Sequence, residues 1–173
     1  MDWKFRERSI CLINLKRLVY LISPGKIYKK FYTDLSLVLA SKKVKFFQLR
    51  LKKTSNSKII KIVKKIKIIT KKYDVKLIIN DSVKLAKKIN ADGCHIGQLD
   101  GSISSGRKFL KNKIIGVTCH NSKKFALIAL KNKVEYIAFG SFFKSKLKPI
   151  AKKADIKVLK WSKKNIKKPV DVI

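Results

Sequence analysis

The stretch Lys76–Asp100, KLIINDSVKLAKKINADGCHIGQLD, sets the fold class. It reads as strand, helix, strand, with a polar group after each strand. Lys76–Ile79 is a short β-branched run with Asn80 and Asp81 at its carboxyl end. Ser82 is placed to cap a helix running to about Ile89, with Val83, Leu85, Ala86 and Ile89 near helical spacing. Gly93–Gly97 is a second apolar run, followed by Gln98, Leu99 and Asp100. Asp81 and Asp100 therefore fall one βα repeat apart, at the same end of two strands expected to be parallel neighbours. Such strands lie roughly 4.8 Å apart, so both carboxylates are within reach of one small cation.

The same unit repeats on both sides. Upstream, Leu18–Ser23 is a strand ended by Pro24 and Gly25, Asp34–Ser41 a short helix, and Lys45–Arg50 a second strand with Lys52 just beyond. Ser55 or Ser57 caps a helix running to about Lys72, with Ile59, Ile62, Val63, Ile66 and Ile69 on one stripe and lysines on the other face. Downstream, helices are expected at Ser104–Leu110, Ser122–Ala129 and Ile156–Lys164, and strands at Ile114–Thr118, Glu135–Phe139 and Pro169–Ile173. Alternating strands and helices imply right-handed crossovers and a parallel sheet. The fold class is thus α/β, a (βα)8 barrel of the TIM type. An open doubly wound sheet is the alternative, but no GxGxxG or Walker-type loop supports it. The barrel domain spans 18–173, after an N-terminal extension of residues 1–17. Such a barrel has eight strands and usually at least about 200 residues. The sequence stops in the seventh, so a truncated chain is expected, or else a partner over the open edge.

Composition bounds the rest. Apolar residues make up 46% of the 173, enough for a real core. No apolar run approaches the roughly 18 residues of a membrane span, and MDWKFRERSICLINLKR lacks the apolar region of a signal peptide. Cys11, Cys94 and Cys119 are widely spaced, which fits reduced thiols in a cytoplasmic protein. The net charge of +34 is spread through every segment, without a basic patch interleaved with aromatics. Nucleic acid is therefore not the expected partner, although such a field speeds capture of anionic small molecules.

Groups at the carboxyl ends of barrel strands build active sites. Here they are Gln48, Arg50 and Lys52; Asn80 and Asp81; His95, Gln98 and Asp100; Thr118 and His120; Ser141, Ser145 and Lys148. Acids, cations and amides converging there suit a diphosphate chelated to Mg2+, which commonly bridges one or two carboxylates to substrate phosphates. Arg50 is suited to bidentate contact, and Lys52 and Lys148 to point-charge contact. Each residue has a plainer reading. Asp81 is also placed to cap a helix, Asp100 before Gly101 to make a turn, and His95 to be a satisfied core histidine. His120 reads equally as a loop residue, and Cys94 and Cys119 as packing groups. Joint placement carries the functional reading, not any one residue.

QLRLK (48–52), IIND (78–81), GCHIGQLD (93–100), IIGVTCH (114–120) and FGSFFKSKLK (139–148), after YLIS (20–23), closely resemble thiamine phosphate synthases. The resemblance implies a (βα)8 barrel that is a Mg2+-dependent transferase. It would join hydroxymethylpyrimidine diphosphate to thiazole phosphate, giving thiamine monophosphate and diphosphate. It further implies that Arg50, Lys52, Asn80 and Lys148 hold the diphosphate, and that Asp81 and Asp100 are the metal ligands. Gln48 would contact the pyrimidine and His95 lie beside it. Thr118 stands for a serine near the diphosphate, and Ser145 for a threonine that binds the thiazole phosphate. Diphosphate would leave first, and the thiazole nitrogen would attack the pyrimidine-methyl cation. Leu147, Asp171 and the ending PVDVI depart from the family pattern. A thiazole tautomerase using His120, a basic nucleic-acid module and an inactive gene product remain as alternatives, and homo-oligomerisation stays open. The departures imply weak or no activity for the 173-residue chain alone, which detectable thiamine monophosphate from the purified chain would refute.

Overall fold

The structure, a computed structural model, describes residues 19–97, 99–143 and 153–166, and the backbone of 171–172. The extension 1–17, Gln98, Ser145 and Lys148 lie outside the described residues. The elements alternate: β1 (Val19–Ile22), α1 (Phe31–Ala40), β2 (Val44–Leu49), α2 (Asn56–Lys72), β3 (Lys76–Asn80), α3 (Val83–Lys88) and β4 (Gly93–Ile96). Then come α4 (Ile103–Leu110), β5 (Ile114–His120), α5 (Lys123–Lys131), β6 (Tyr136–Phe139), α6 (Lys157–Asn165) and β7 (Asp171–Val172). The strands form one sheet in sequence order, and every neighbouring pair is parallel.

That sheet is strongly curled. Tyr20 on β1 and Tyr136 on β6 are five strand spacings apart, about 24 Å if the sheet were flat. Their hydroxyls nevertheless meet at 2.6 Å and their rings at 5.4 Å. The strands must wrap toward a barrel for the two side chains to touch across the interior.

Period-two alternation then separates two environments. Phe47, Leu49, Leu77, Ile79, Cys94, Ile96, Ile115, Val117 and Ile137 join the large core shared with the helices. The alternate residues Phe46, Gln48, His95 and Tyr136 meet one another or the opposite strands inside the curl. Gly116 is required there. A Cβ on it would lie 1.7 Å from Cζ of Tyr136, so only glycine lets that fully buried ring cross the interior.

Helices start by a repeated device. Ser55, Ser82, Ser102 and Ser122 accept from the backbone N–H groups of Lys58, Leu85, Ser105 and Phe125. Of the two serines expected to cap α2, it is therefore Ser55. The buried stripe of α2 is Val63, Ile66 and Thr70, with the lysines on its outer face. Most boundaries fall within two residues of the sequence expectation, and two of the differences have a clear structural reason. α1 starts at Phe31 because Phe31, Leu35 and Leu39 form the buried i, i+4, i+8 face, while Leu37 and Val38 are exposed. β5 runs two residues past Thr118 to His120, which pairs with Phe139 across an irregularity in the register.

Gly116→Ala is expected to lower stability by about 1–3 kcal/mol, the usual cost of overpacking a filled interior. Thermal unfolding of the purified variant measures it, and an unchanged Tm would contradict this role for the glycine.

Candidate active site

Asn80 ends β3, and Asp81 follows with φ +67°, a left-handed conformation uncommon outside glycine, asparagine and aspartate. The turn is held by the Asp81 backbone N–H donating to the His95 carbonyl at 2.8 Å. Ser82, not Asp81, caps α3, accepting from Leu85 at 3.2 Å. The capping role being filled, the Asp81 carboxyl is left for other work.

On the neighbouring strand, the Gly97 N–H donates to Asp100 Oδ2 at 2.7 Å and folds that carboxylate back over the end of β4. A Cβ at position 97 would sit 2.5 Å from the same oxygen, so the approach depends on glycine. Asp100 thus does make a turn, and the turn brings it beside Asp81. The Asp100 carboxyl lies near enough to Asp81 to perturb its ionisation. Burial raises the Asp81 pKa above the usual carboxylate value, and the Asp100 carboxyl raises it further. Lys52 and Arg50 pull it back. One acid pair and two cations therefore share one end of β2, β3 and β4, as expected from the sequence.

The interior-facing amides are also joined. Gln48 Nε2 donates to Asn80 Oδ1 at 2.8 Å, which leaves the Asn80 NH2 group as a donor for an anion. Ser23 is buried and accepts from the Arg50 backbone N–H at 2.9 Å, fixing the main chain from which Arg50 projects. Lys52, Asn80, Asp81 and Ser82 line a depression of about 180 Å³ together with Thr54 and Asn56, over an apolar floor that includes Leu49, Ile79 and Leu85. Ser23, Thr54 and Asn56 were not among the residues expected. The hydroxyl-rich run Thr54–Ser57 directly after two lysines was the available signal.

Deeper inside, His95 Nε2 meets Thr118 Oγ1 at 2.7 Å and His95 Nδ1 meets the Tyr136 hydroxyl at 2.9 Å. His95 is thus a satisfied interior histidine as well as a rim neighbour. His120 Nδ1 lies 3.3 Å from the Gly140 carbonyl, at the rim of β5 and β6. Burial pushes the Cys94 and Cys119 thiols up to about 12, which fits packing groups rather than nucleophiles. Among the described residues, no cluster of three or more His, Cys, Asp or Glu is placed to hold a metal. Asp81 and Asp100 offer oxygen donors only, the ligand type that hard cations accept.

A model of the thiamine monophosphate synthase family matches residues 19–173. The chain belongs to that family. The thiamine-phosphate synthase of Pelagibacter ubique is 54% identical over 159 residues, covering 91% of this chain and 77% of the relative. That of Saccharophagus degradans is 40% identical over 131 residues, covering 75% of this chain and 60% of the relative. The solved thiamine phosphate pyrophosphorylase of Pyrococcus furiosus superposes with a TM-score of 0.77 at 26% identity, over 91% of this chain and 75% of that one. The chain thus spans about three-quarters of the Pelagibacter synthase and of the Pyrococcus structure.

Ionising Asp81 is expected to cost stability, first because it is partly buried and then because Asp100 lies beside it. The folded pKa of Asp81 lies above its unfolded value, so ionising it destabilises the fold. That penalty is fully present above the folded pKa and disappears as pH falls below the unfolded value. Asp81→Asn is therefore expected to raise Tm at pH 7 by about 1–3 °C, on the scale of ~2–4 °C per kcal/mol for a domain this size. The gain should vanish at about pH 3.5, below the ordinary aspartate pKa. A lower Tm for the variant at pH 7 would contradict a penalty from burial and from the neighbouring Asp100 carboxyl.

Proposed function

We propose that this chain is a thiamine-phosphate synthase with a (βα)8 architecture, joining hydroxymethylpyrimidine diphosphate to thiazole phosphate. The observation that carries the reading is the joint placement of Asp81, Asp100, Arg50 and Lys52 at one end of three adjacent strands. Two apposed carboxylates repel unless a cation lies between them, and two basic side chains beside that cation leave room for a polyanion. This is the donor set a Mg2+–diphosphate needs.

When bound by Asp81 and Asp100, Mg2+ would neutralise charge on the departing diphosphate. The protein groups do the rest. Arg50 grips phosphate oxygens in a planar fork, and Lys52 adds a mobile positive charge. Asn80, oriented by Gln48, offers its NH2 group to the same anion. Thr118 and His95 line the interior beside the reacting carbon. Ser145 and Lys148 complete the phosphate contacts in the reading that the sequence resemblance supplies. Breaking the C–O bond to diphosphate leaves a pyrimidine-methyl cation, which the thiazole nitrogen attacks. No nucleophilic side chain is needed, in keeping with two cysteines whose thiols burial holds near 12.

A thiazole tautomerase has no use for a diphosphate clamp, and the assembled clamp favours the synthase. Reduced, buried thiols at Cys94 and Cys119 support a cytoplasmic setting. No described helix is long and apolar enough to cross a membrane.

Expressed as the full gene in a bacterium lacking its own thiamine-phosphate synthase, the protein is expected to restore growth without thiamine. Arg50→Ala should reduce the rate of thiamine monophosphate formation by about 10²–10³-fold, the usual effect of deleting a group that stabilises developing negative charge. Absence of rescue with the parent protein present and folded would overturn the reading.

A further inference from the structure

Ser23, just past the end of β1, is tied to the site and has no role in the mechanism above. β1 and β2 run in parallel register as far as Ile22 and Gln48, and the Ser23 N–H donates to the Gln48 carbonyl at 2.9 Å. Pro24 follows and has no N–H to offer β2. Two residues beyond Gln48, the Arg50 N–H still faces β1, because strand residues two apart present the same edge. It donates to the Ser23 hydroxyl at 2.9 Å, so a side-chain oxygen adds one more rung to the ladder. Ser23 is only 8% exposed, so water competes little for that rung.

The rung sits where the main chain leaves the sheet. Arg50–Thr54 is the whole connection between β2 and Ser55, the cap of α2, and it carries both cations of the site, Arg50 and Lys52. Ser55 accepts from the Lys58 N–H and fixes the far end of this short connection, and Ser23 fixes the near end. An arginine fork grips an anion in a planar geometry, and every freedom removed from its main chain beforehand lowers the cost of binding. The Arg50 guanidinium already acts on the Asp81 carboxyl, so it is held toward the site before any anion arrives.

We propose that Ser23 is a positioning residue for the phosphate clamp: its hydroxyl holds the main chain of Arg50 at the end of β2, so that the guanidinium meets the diphosphate already placed. This rests on the synthase reading, and it gives the first strand a part in a site otherwise built on the second to the fourth.

Isothermal titration with inorganic diphosphate in the presence of Mg2+ reads the effect. Ser23→Ala is expected to weaken binding by about threefold to tenfold, the range for loss of one hydrogen bond. The value of kcat/KM for the pyrimidine diphosphate should fall by the same factor, with KM for thiazole phosphate unchanged. Ser23→Thr keeps the oxygen and should bind as the parent does, whereas Ser23→Val, of the same shape without the oxygen, should match the alanine variant. A lower Tm with unchanged diphosphate affinity, or a valine variant that binds like the threonine one, overturns the proposal. Amide hydrogen exchange without diphosphate gives a second reading: the Arg50 amide should be protected in the parent and exchange faster in Ser23→Ala. If the alanine and valine variants do not fold, the parent decides, and an Arg50 amide exchanging as freely as in an unstructured chain overturns the proposal. A parent that binds no Mg2+–diphosphate sinks the synthase reading and this proposal with it, whereas a parent that binds and an alanine variant that binds equally well sink the proposal alone.

Discussion

The structure depends on one unfavourable contact, the apposition of Asp81 and Asp100. Two carboxylates do not come together unaided, and here the backbone brings them near each other. The parallel register of β3 and β4 sets Asn80 opposite His95, and the Asp81 N–H donates to that histidine's carbonyl. Asp81 then turns through a left-handed conformation, while Gly97 leaves the space into which Asp100 folds. Ser82 takes over the helix cap, so Asp81 has no local task that would draw its carboxyl away. Strain and repulsion concentrated at a strand end in this way support the binding site proposed above.

Around that contact the sheet divides its labour by alternation. One set of side chains faces the helices in an apolar core that is mostly aliphatic, with Phe31, Phe47 and Phe139 among it. The other set faces a curled interior, where aromatic rings and hydrogen-bonded polar groups replace aliphatic packing. The Tyr20–Tyr136 contact ties the first strand to the sixth, and a polar line runs on from Tyr136 through His95 to Thr118. Rigid walls below the rim make the placement of the rim groups reproducible, as electrostatic stabilisation of a leaving group requires.

Most of this architecture was legible in the sequence because its signals are local. Serine before an apolar stripe marked three of the helix starts, and short β-branched runs marked the strands. Asp81 and Asp100 stood out because each follows a strand in consecutive repeats. What escaped the reading was non-local. Tyr20 and Tyr136 are 116 residues apart, and nothing near either foretells that they touch. Gly116 looked like an ordinary strand glycine until the ring it accommodates was in view. Phe31 precedes any visible helix signal, since its burial depends on Phe47 across the interface with the sheet. The abundant lysines were read as solvated surface, and several prove to have structural partners instead. Lys67, for example, donates to the carbonyls of Ile89 and Asn90.

The central claim is that Asp81 and Asp100 together recruit a metal that in turn recruits diphosphate. Isothermal titration of the protein with inorganic diphosphate, with and without Mg2+, tests it most directly. The account predicts binding that requires Mg2+ and weakens at least about tenfold in either Asp81→Asn or Asp100→Asn, roughly 1.4 kcal/mol, while Lys124→Ala on the outer helix layer leaves it unchanged. Diphosphate binding that is indifferent to Mg2+, or that survives loss of both carboxylates, would contradict it.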